Sequence, residues 1–128
     1  MTMTPSKSHA TPAASHRLII RVDLASGARI GPGKVALLEQ IGRTGSISAA
    51  GRALRMSYRR AWELVEDLNR HLGVTVVATT AGGSGGGGAK LTEAGQAIVA
   101  TYRALEAAAA ETARPHLVTL ERACDAGG

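Results

Sequence analysis

One stretch limits most strongly what this chain can become: GSISAAGRALRMSYRRAWELVEDLNRHLG, from Gly45 to Gly73. Two helix starts are written into it, at Ser46 and Ser57, residues whose hydroxyls can accept from the free N–H groups of a first helical turn. Ile47, Ala50 and Leu54 share one face of a short helix. Ala61, Leu64, Val65, Leu68 and Leu72 form the apolar stripe of a longer one that Gly73 ends. The helical period breaks at Arg55-Met56, and the small residues Ala49, Ala50 and Gly51 fall where two helices joined by so short a turn must approach closely. Spacing, caps and small residues together predict a helix-turn-helix.

The flanks complete the pattern. RLIIRVDL, Arg17 to Leu24, is β-branched and apolar and predicts one strand, followed by turn chemistry at Gly27 and Gly31-Pro32-Gly33. From Lys34 onward, Val35, Leu37, Leu38 and Ile41 recur at helical spacing. They predict a helix of about three turns, ended by Gly42 and Gly45 with Arg43 at the negative end of its dipole. After Gly73 the period changes from helical to alternating. VTVVATT (Val74 to Thr80) and AKL (Ala89 to Leu91) predict a β-hairpin wing, whose mobile turn would be the run of six glycines between Gly82 and Gly88. Thr92 is a good N-cap for a long helix with Ile98, Tyr102, Leu105 and Ala109 along one face. Pro115 is expected to kink or end that helix, leaving one or two more turns. The expected class is mainly α with a small β-wing (α+β). The expected divisions are a disordered arm over 1–16, a winged helix-turn-helix over 17–91, a long-helix region over 92–122 and a flexible tail over 123–128.

Charge points to the ligand. Fifteen Lys and Arg against ten Asp and Glu leave a formal charge of +5. Arg43, Arg52, Arg55, Arg59 and Arg60 fall in a stretch with no acidic residue, whereas five acids face three arginines after Thr92. The basic footprint therefore coincides with the helix-turn-helix, where phosphate neutralisation requires it. With no Phe, and with Trp62, Tyr58 and Tyr102 as the only rings, the chain has no stacking platform for single strands, so duplex DNA is the better polyanion. The start of the third helix should enter a major groove. There Arg59 is the first choice for a bidentate contact to guanine, with Arg60 on the backbone and Ser57 on a phosphate. Trp62 is expected chiefly as a core or half-core ring packing the third helix on the first, and only secondarily as a DNA contact. Tyr58 could seal the core with its ring while its hydroxyl reaches a phosphate.

The same residues argue against other classes. Cys124 is the sole cysteine, so neither an intrachain disulfide nor a CxxC site is available. GSGGGG fits GxGxxG only formally, because no parallel βαβ unit follows it, and neither GPGKV nor AKL completes a Walker A loop. His9, His16, His71 and His116 are scattered outside any HExxH. No enzyme, catalytic residue, metal or cofactor is expected. The first residues lack the apolar run of a signal peptide, and no apolar stretch approaches the roughly 18 residues of a membrane span. A cytoplasmic setting is expected.

LLEQIGRTGSISAAGRALRMSYRRAWELVEDLN followed by GGSGGGGAKLTEAGQAIVATYRAL resembles the N-terminal DNA-binding domain of ModE-type molybdate-responsive regulators, a winged helix-turn-helix related to the LysR-type domain. The resemblance covers about Arg17 to Arg114. Its most telling pieces are GSIS, SYRRAW and GGGGAKLTEAG. It implies recognition-helix contacts at Ser57, Tyr58, Arg59 and Arg60, wing contacts near Thr79, Thr80 and Lys90, and dimerisation through the helix that starts at Thr92. Where the family commonly carries a basic wing residue this sequence has Ser84, which implies a weaker phosphate grip. Full-length members carry C-terminal molybdate-binding domains, and the sequence to Gly128 has no room for one, so direct oxyanion sensing by this stretch is not expected.

The combined expectation is a sequence-specific double-stranded DNA-binding transcriptional regulator acting as a homodimer. Its DNA contacts would be Ser46, Arg52, Arg55, Ser57, Tyr58, Arg59, Arg60, Thr79, Thr80 and Lys90, and its dimer interface Ile98, Tyr102, Leu105 and Ala109. Two alternatives stand beside it. One is a winged-helix protein-interaction adaptor; the other is a small oxyanion (molybdate or tungstate) sensor using helix N-termini and glycine amides. Any effector or sensor partner is unknown.

Overall fold

The computed structural model describes residues 17–83 and 86–127. The expected arm over 1–16, Ser84 and Gly85 within the glycine run, and Gly128 lie outside them. The element order is β1 (Val22–Asp23), β2 (Arg29–Ile30), α1 (Pro32–Thr44), α2 (Ile47–Ala53), α3 (Tyr58–Leu72), β3 (Val77–Gly83), β4 (Gly86–Leu91) and α4 (Glu93–Gly127). Four helices with two small antiparallel strand pairs make a winged helix-turn-helix, in agreement with the fold class expected from the sequence.

The expected strand over Arg17 to Leu24 contracts to two residues. Val22 pairs with Ile30 and Asp23 with Arg29, because the chain turns back at once. Gly27 takes φ +98°, its N–H donates to the Leu24 carbonyl at 2.9 Å, and the Leu24 N–H donates to Ala28 at 2.8 Å. With only β2 to pair against, the residues before Val22 find no ladder partner and stay irregular. Helix α1 begins at Pro32, where a missing N–H costs nothing, and closes on Gly45 in the left-handed region at φ +72°. Gly42 stays inside the helix, so Gly45 alone ends it.

Both serine caps form. The Ser46 hydroxyl accepts from the Ala49 N–H and the Ser57 hydroxyl from the Arg60 N–H, each at 3.0 Å. The turn between α2 and α3 is tight. The Met56 N–H donates to the Gly51 carbonyl at 2.9 Å, and Arg55 sits at φ +60°, a conformation that a residue with a side chain adopts at a cost of about 1 kcal/mol or more. Gly51 makes this crossing possible: a Cβ there would lie 3.3 Å from Ala61 Cβ and 3.2 Å from the Met56 carbonyl.

The core sits where α1, α2 and α3 meet the root of the wing. Leu37, Leu38, Ile41, Leu68 and Val76 are its largest fully buried side chains in that cluster. Each contributes on the order of 1.5–3 kcal/mol by leaving water. Asn69 joins α3 to the wing. Its Oδ1 accepts from the Val76 N–H at 2.7 Å, and its Nδ2 donates to the Val77 carbonyl at 3.4 Å.

The wing lies further into the glycine run than expected: β3 is as long as predicted but displaced by three residues, leaving Val74, Thr75 and Val76 outside it, and β4 is longer, because glycines on both sides of the turn join the ladder. Val77 pairs with Leu91 and Thr80 with Gly88, and after a shift of register Gly83 pairs with Gly86. Low strand propensity is overridden here by backbone pairing and by Thr80, whose hydroxyl accepts from the Gly88 N–H at 3.0 Å. The wing is also tied to the end of α1 by the Ala89 N–H, which donates to Gly45 at 3.0 Å.

Helix α4 starts as predicted. The Thr92 hydroxyl accepts from the Gly95 N–H at 3.1 Å and donates to the Thr75 carbonyl at 2.6 Å. Its first part belongs with the winged domain: one compact unit runs from Ile19 to Ala107, past the boundary expected at Leu91. Further along, the helix does not end at Pro115, and it runs to Gly127 where a flexible tail was expected from residue 123. A proline removes one N–H bond, but AAAAETAR before it and HLVTLERACDA after it are strong enough helix formers to carry the helix across.

Candidate nucleic-acid interface

Helix α3 puts its first turn into solvent. Ser57 caps it, Ala61, Val65 and Leu68 turn inward, and Tyr58, Arg59 and Arg60 are left exposed on the outer side. Tyr58 is 56 % exposed, so its ring does not seal the core. The Arg59 side chain is 88 % exposed and, among the described residues, meets only Glu63, one turn on, at 3.3 Å. An exposed pair of this kind holds by less than about 1 kcal/mol, so DNA can displace it. Among the described residues nothing engages the Arg60 guanidinium.

Trp62 departs from the expected core position. Its ring lies 43 % exposed. The inward position belongs to its neighbour Ala61, and one residue along a helix is a rotation of about 100°. Trp62 instead lines a groove of about 350 Å³ between α3 and the wing, together with Tyr58, Thr79, Thr80, Ser46 and Ser48. Four expected contacts, Ser46, Tyr58, Thr79 and Thr80, are thus brought together; Trp62, for which a DNA contact was the secondary expectation, joins them, and Ser48 joins them unforeseen. The signal available for Trp62 was its adjacency to the small, helix-crossing Ala61.

The other expected contacts stand apart from this groove. Arg52 donates to the Ser48 hydroxyl at 3.0 Å, at the groove's margin. Arg55 is exposed in the turn. Lys90 is exposed on the next register position of β4, opposite Ala78.

The expected dimer residues divide. Ile98, Tyr102 and Leu105 border an apolar groove of about 300 Å³ with Val22, Leu24 and Ile30. Tyr102, however, is spent inside its own chain. Its ring is 3 % exposed against Ile30 and Val35, its hydroxyl donates to the Ile20 carbonyl at 2.6 Å, and burial raises its pKa above the ordinary phenol value. Spacing along a helix marks an apolar face without telling whether the same chain or another one covers it. Ile98 is half-buried, Leu105 is exposed, and Ala109 falls in the segment that begins at Ala108.

Beside Tyr102, Arg103 holds α4 to α1. Its Nε and Nη2 donate to both Glu39 oxygens at 2.9 and 2.8 Å, and Nη1 donates to Glu106 at 2.6 Å. The Glu39 carboxyl is held below its ordinary pKa by this fork, and the guanidinium is pushed further up. Among the described residues no cluster of three or more His, Cys, Asp or Glu could hold a metal, and no helix is long and apolar enough to cross a membrane.

A capped helix-turn-helix whose second helix and wing flank one exposed groove defines a class that comparison narrows further. The pattern of bacterial regulatory helix-turn-helix proteins of the lysR family matches residues 33–96, half of the chain. The chain belongs to that family. It is 51 % identical over 86 residues to the molybdenum-pterin-binding protein MopB of Rhodobacter capsulatus, an alignment covering 67 % of this chain and 32 % of MopB. It is 39 % identical over 92 residues to the molybdenum transport protein ModE of Azotobacter vinelandii, covering 70 % and 34 % of the two chains. With the DNA-binding transcriptional dual regulator ModE of Escherichia coli it shares 36 % over 71 residues, covering 56 % and 27 %. The chain thus spans about a third of the length of these relatives.

Proposed function

We propose that this chain is a sequence-specific duplex-DNA-binding transcriptional regulator of the ModE kind, acting as a homodimer. The observation that carries the reading is the first turn of α3, where Tyr58, Arg59 and Arg60 stand exposed beside a wing that supplies Thr79 and Thr80. An α-helix fits the major groove, and Arg59, with only Glu63 to leave, can donate two bonds to a guanine. Arg52, Arg55, Arg60 and Lys90 neutralise phosphates around it. Ser46 and Ser57, with hydroxyls already serving as caps, present the N-termini of α2 and α3 to the backbone.

The apolar groove beside Leu105 and Ile98 supports pairing of two copies through α4, which would present two recognition helices to half-sites about one or more helical turns apart. Selection of bound sequences from a random duplex pool tests the reading. A two-fold motif with fixed half-site spacing is expected, and a pool without enrichment at physiological salt would refute it. The Leu105→Asp chain, weighed by light scattering, should run as a monomer; a persisting dimer moves the interface elsewhere.

A further inference from the structure

A second cationic surface lies beyond the residues assigned above. Arg21, Arg29, Lys34 and Arg60 line an open cleft of about 620 Å³, with Met56 and Leu64 among its apolar walls. Arg21, Arg29 and Lys34 come from three places in the sequence: the irregular segment before β1, strand β2 and the start of α1. Lys34 is set in position by a 2.9 Å bond from its ammonium to the Arg29 carbonyl. Asp23 is the acid that meets these cations. It lies 2.9 Å from Arg21 and 4.0 Å from Arg29 and is itself exposed, so the surface keeps a net positive charge. The positive end of the α1 dipole adds to it, since no side chain caps Gly31 and a Cβ built on Gly33 would meet nothing within 4 Å.

We infer that this cleft is a second phosphate-binding track, holding the DNA backbone outside the groove that α3 reads. The inference rests on the DNA-binding reading and extends it to residues that reading does not use. Arg60 makes the connection: it belongs to the first turn of the recognition helix and also lines this cleft, so the two positive surfaces are continuous. The shape favours a polymer over a small anion. The cations stand around an open cleft and, among the described residues, no buried polar side chain lines it, which suits successive phosphates of one strand. Base edges are not needed, so the track adds affinity without sequence preference.

The test uses the whole chain, with Arg21→Gln, Arg29→Gln and Lys34→Gln combined, on the selected duplex and on a random one across a salt series. Each phosphate that is no longer neutralised should flatten the slope of log K against log salt by about 0.9, so the triple variant should fall short by roughly two to three units of slope and bind about tenfold more weakly or worse near physiological salt. Its enriched motif should equal the wild type's, and its melting temperature should be unchanged. An unaltered slope with the wild-type motif intact would overturn the track while leaving the DNA-binding reading in place. Saturable binding of inorganic phosphate or molybdate to the DNA-free wild type, absent from the variant, would overturn it in favour of a small-anion site. A wild-type chain that selects no motif would remove both.

Discussion

Two arginines on neighbouring helices show how this molecule divides its charge. Arg103 is held from three directions, by both oxygens of Glu39 and by Glu106, with its side chain 38 % exposed. Arg59 is 88 % exposed and touches a single carboxylate. The first spends a donor from each of its three nitrogens inside its own chain, and joins the long helix to α1. The second keeps its fork almost unspent, as a residue must if it is to meet a ligand. What separates them is the number and sequence distance of their partners. Arg103 reaches across the fold to α1, while Arg59 has only what its own helix offers one turn on.

The contrast can be broken at graded cost. Gly51→Val should have the largest effect, about 3 kcal/mol of stability from overpacking against Ala61 and the Met56 carbonyl. Denaturant melts should show it, with DNA binding lost together with the α2–α3 crossing. Arg59→Ala should cost about 1–3 kcal/mol on a cognate duplex and far less on a random one, while leaving the melting curve within about 0.5 kcal/mol of wild type. Equal losses on both duplexes would make Arg59 a phosphate contact.

Arg103→Met should do the reverse, lowering stability by about 1–2 kcal/mol with base preference unchanged in competition assays. It also carries a pH signature. Glu39 has a depressed pKa in the folded chain, so its contribution is present above the ordinary carboxyl value of 4.5 and is lost as pH falls through the folded value. Wild type should therefore lose stability faster than Arg103→Met below about pH 4.5. Parallel melting profiles in acid would remove the clamp from the account. The smallest effect is expected of Tyr102→Phe, about 1 kcal/mol for the bond to Ile20. Calorimetry should detect it without any change in oligomeric mass, because that ring faces its own chain.

The sequence makes local features legible and leaves distant ones obscure. Ser46, Ser57, Thr92, Gly45 and Gly73 declare their caps because a cap is decided within four residues. The order of helix and wing is enough to bring Tyr58, Thr79 and Thr80 to one groove. Trp62 and Tyr102 are not legible in this way, since each depends on which element packs across it: Trp62 gives up the interior to Ala61, and Tyr102 takes a core position that the early segment at Ile20 completes from 82 residues away. The glycine strands are hidden for a related reason. Propensity speaks for one residue at a time, and their pairing is fixed by Thr80, by Gly45 and by the facing strand.

Asn69 has a mechanical consequence. Its side-chain amide supplies, at the foot of the wing, the bonds that a third strand would have made, and it grows from the same helix whose first turn faces the ligand. Helix and wing therefore share one root, and a shift of one is passed to the other through Asn69. In the homodimer proposed above, a variation in the distance between two half-sites would then fall on the region where two copies join.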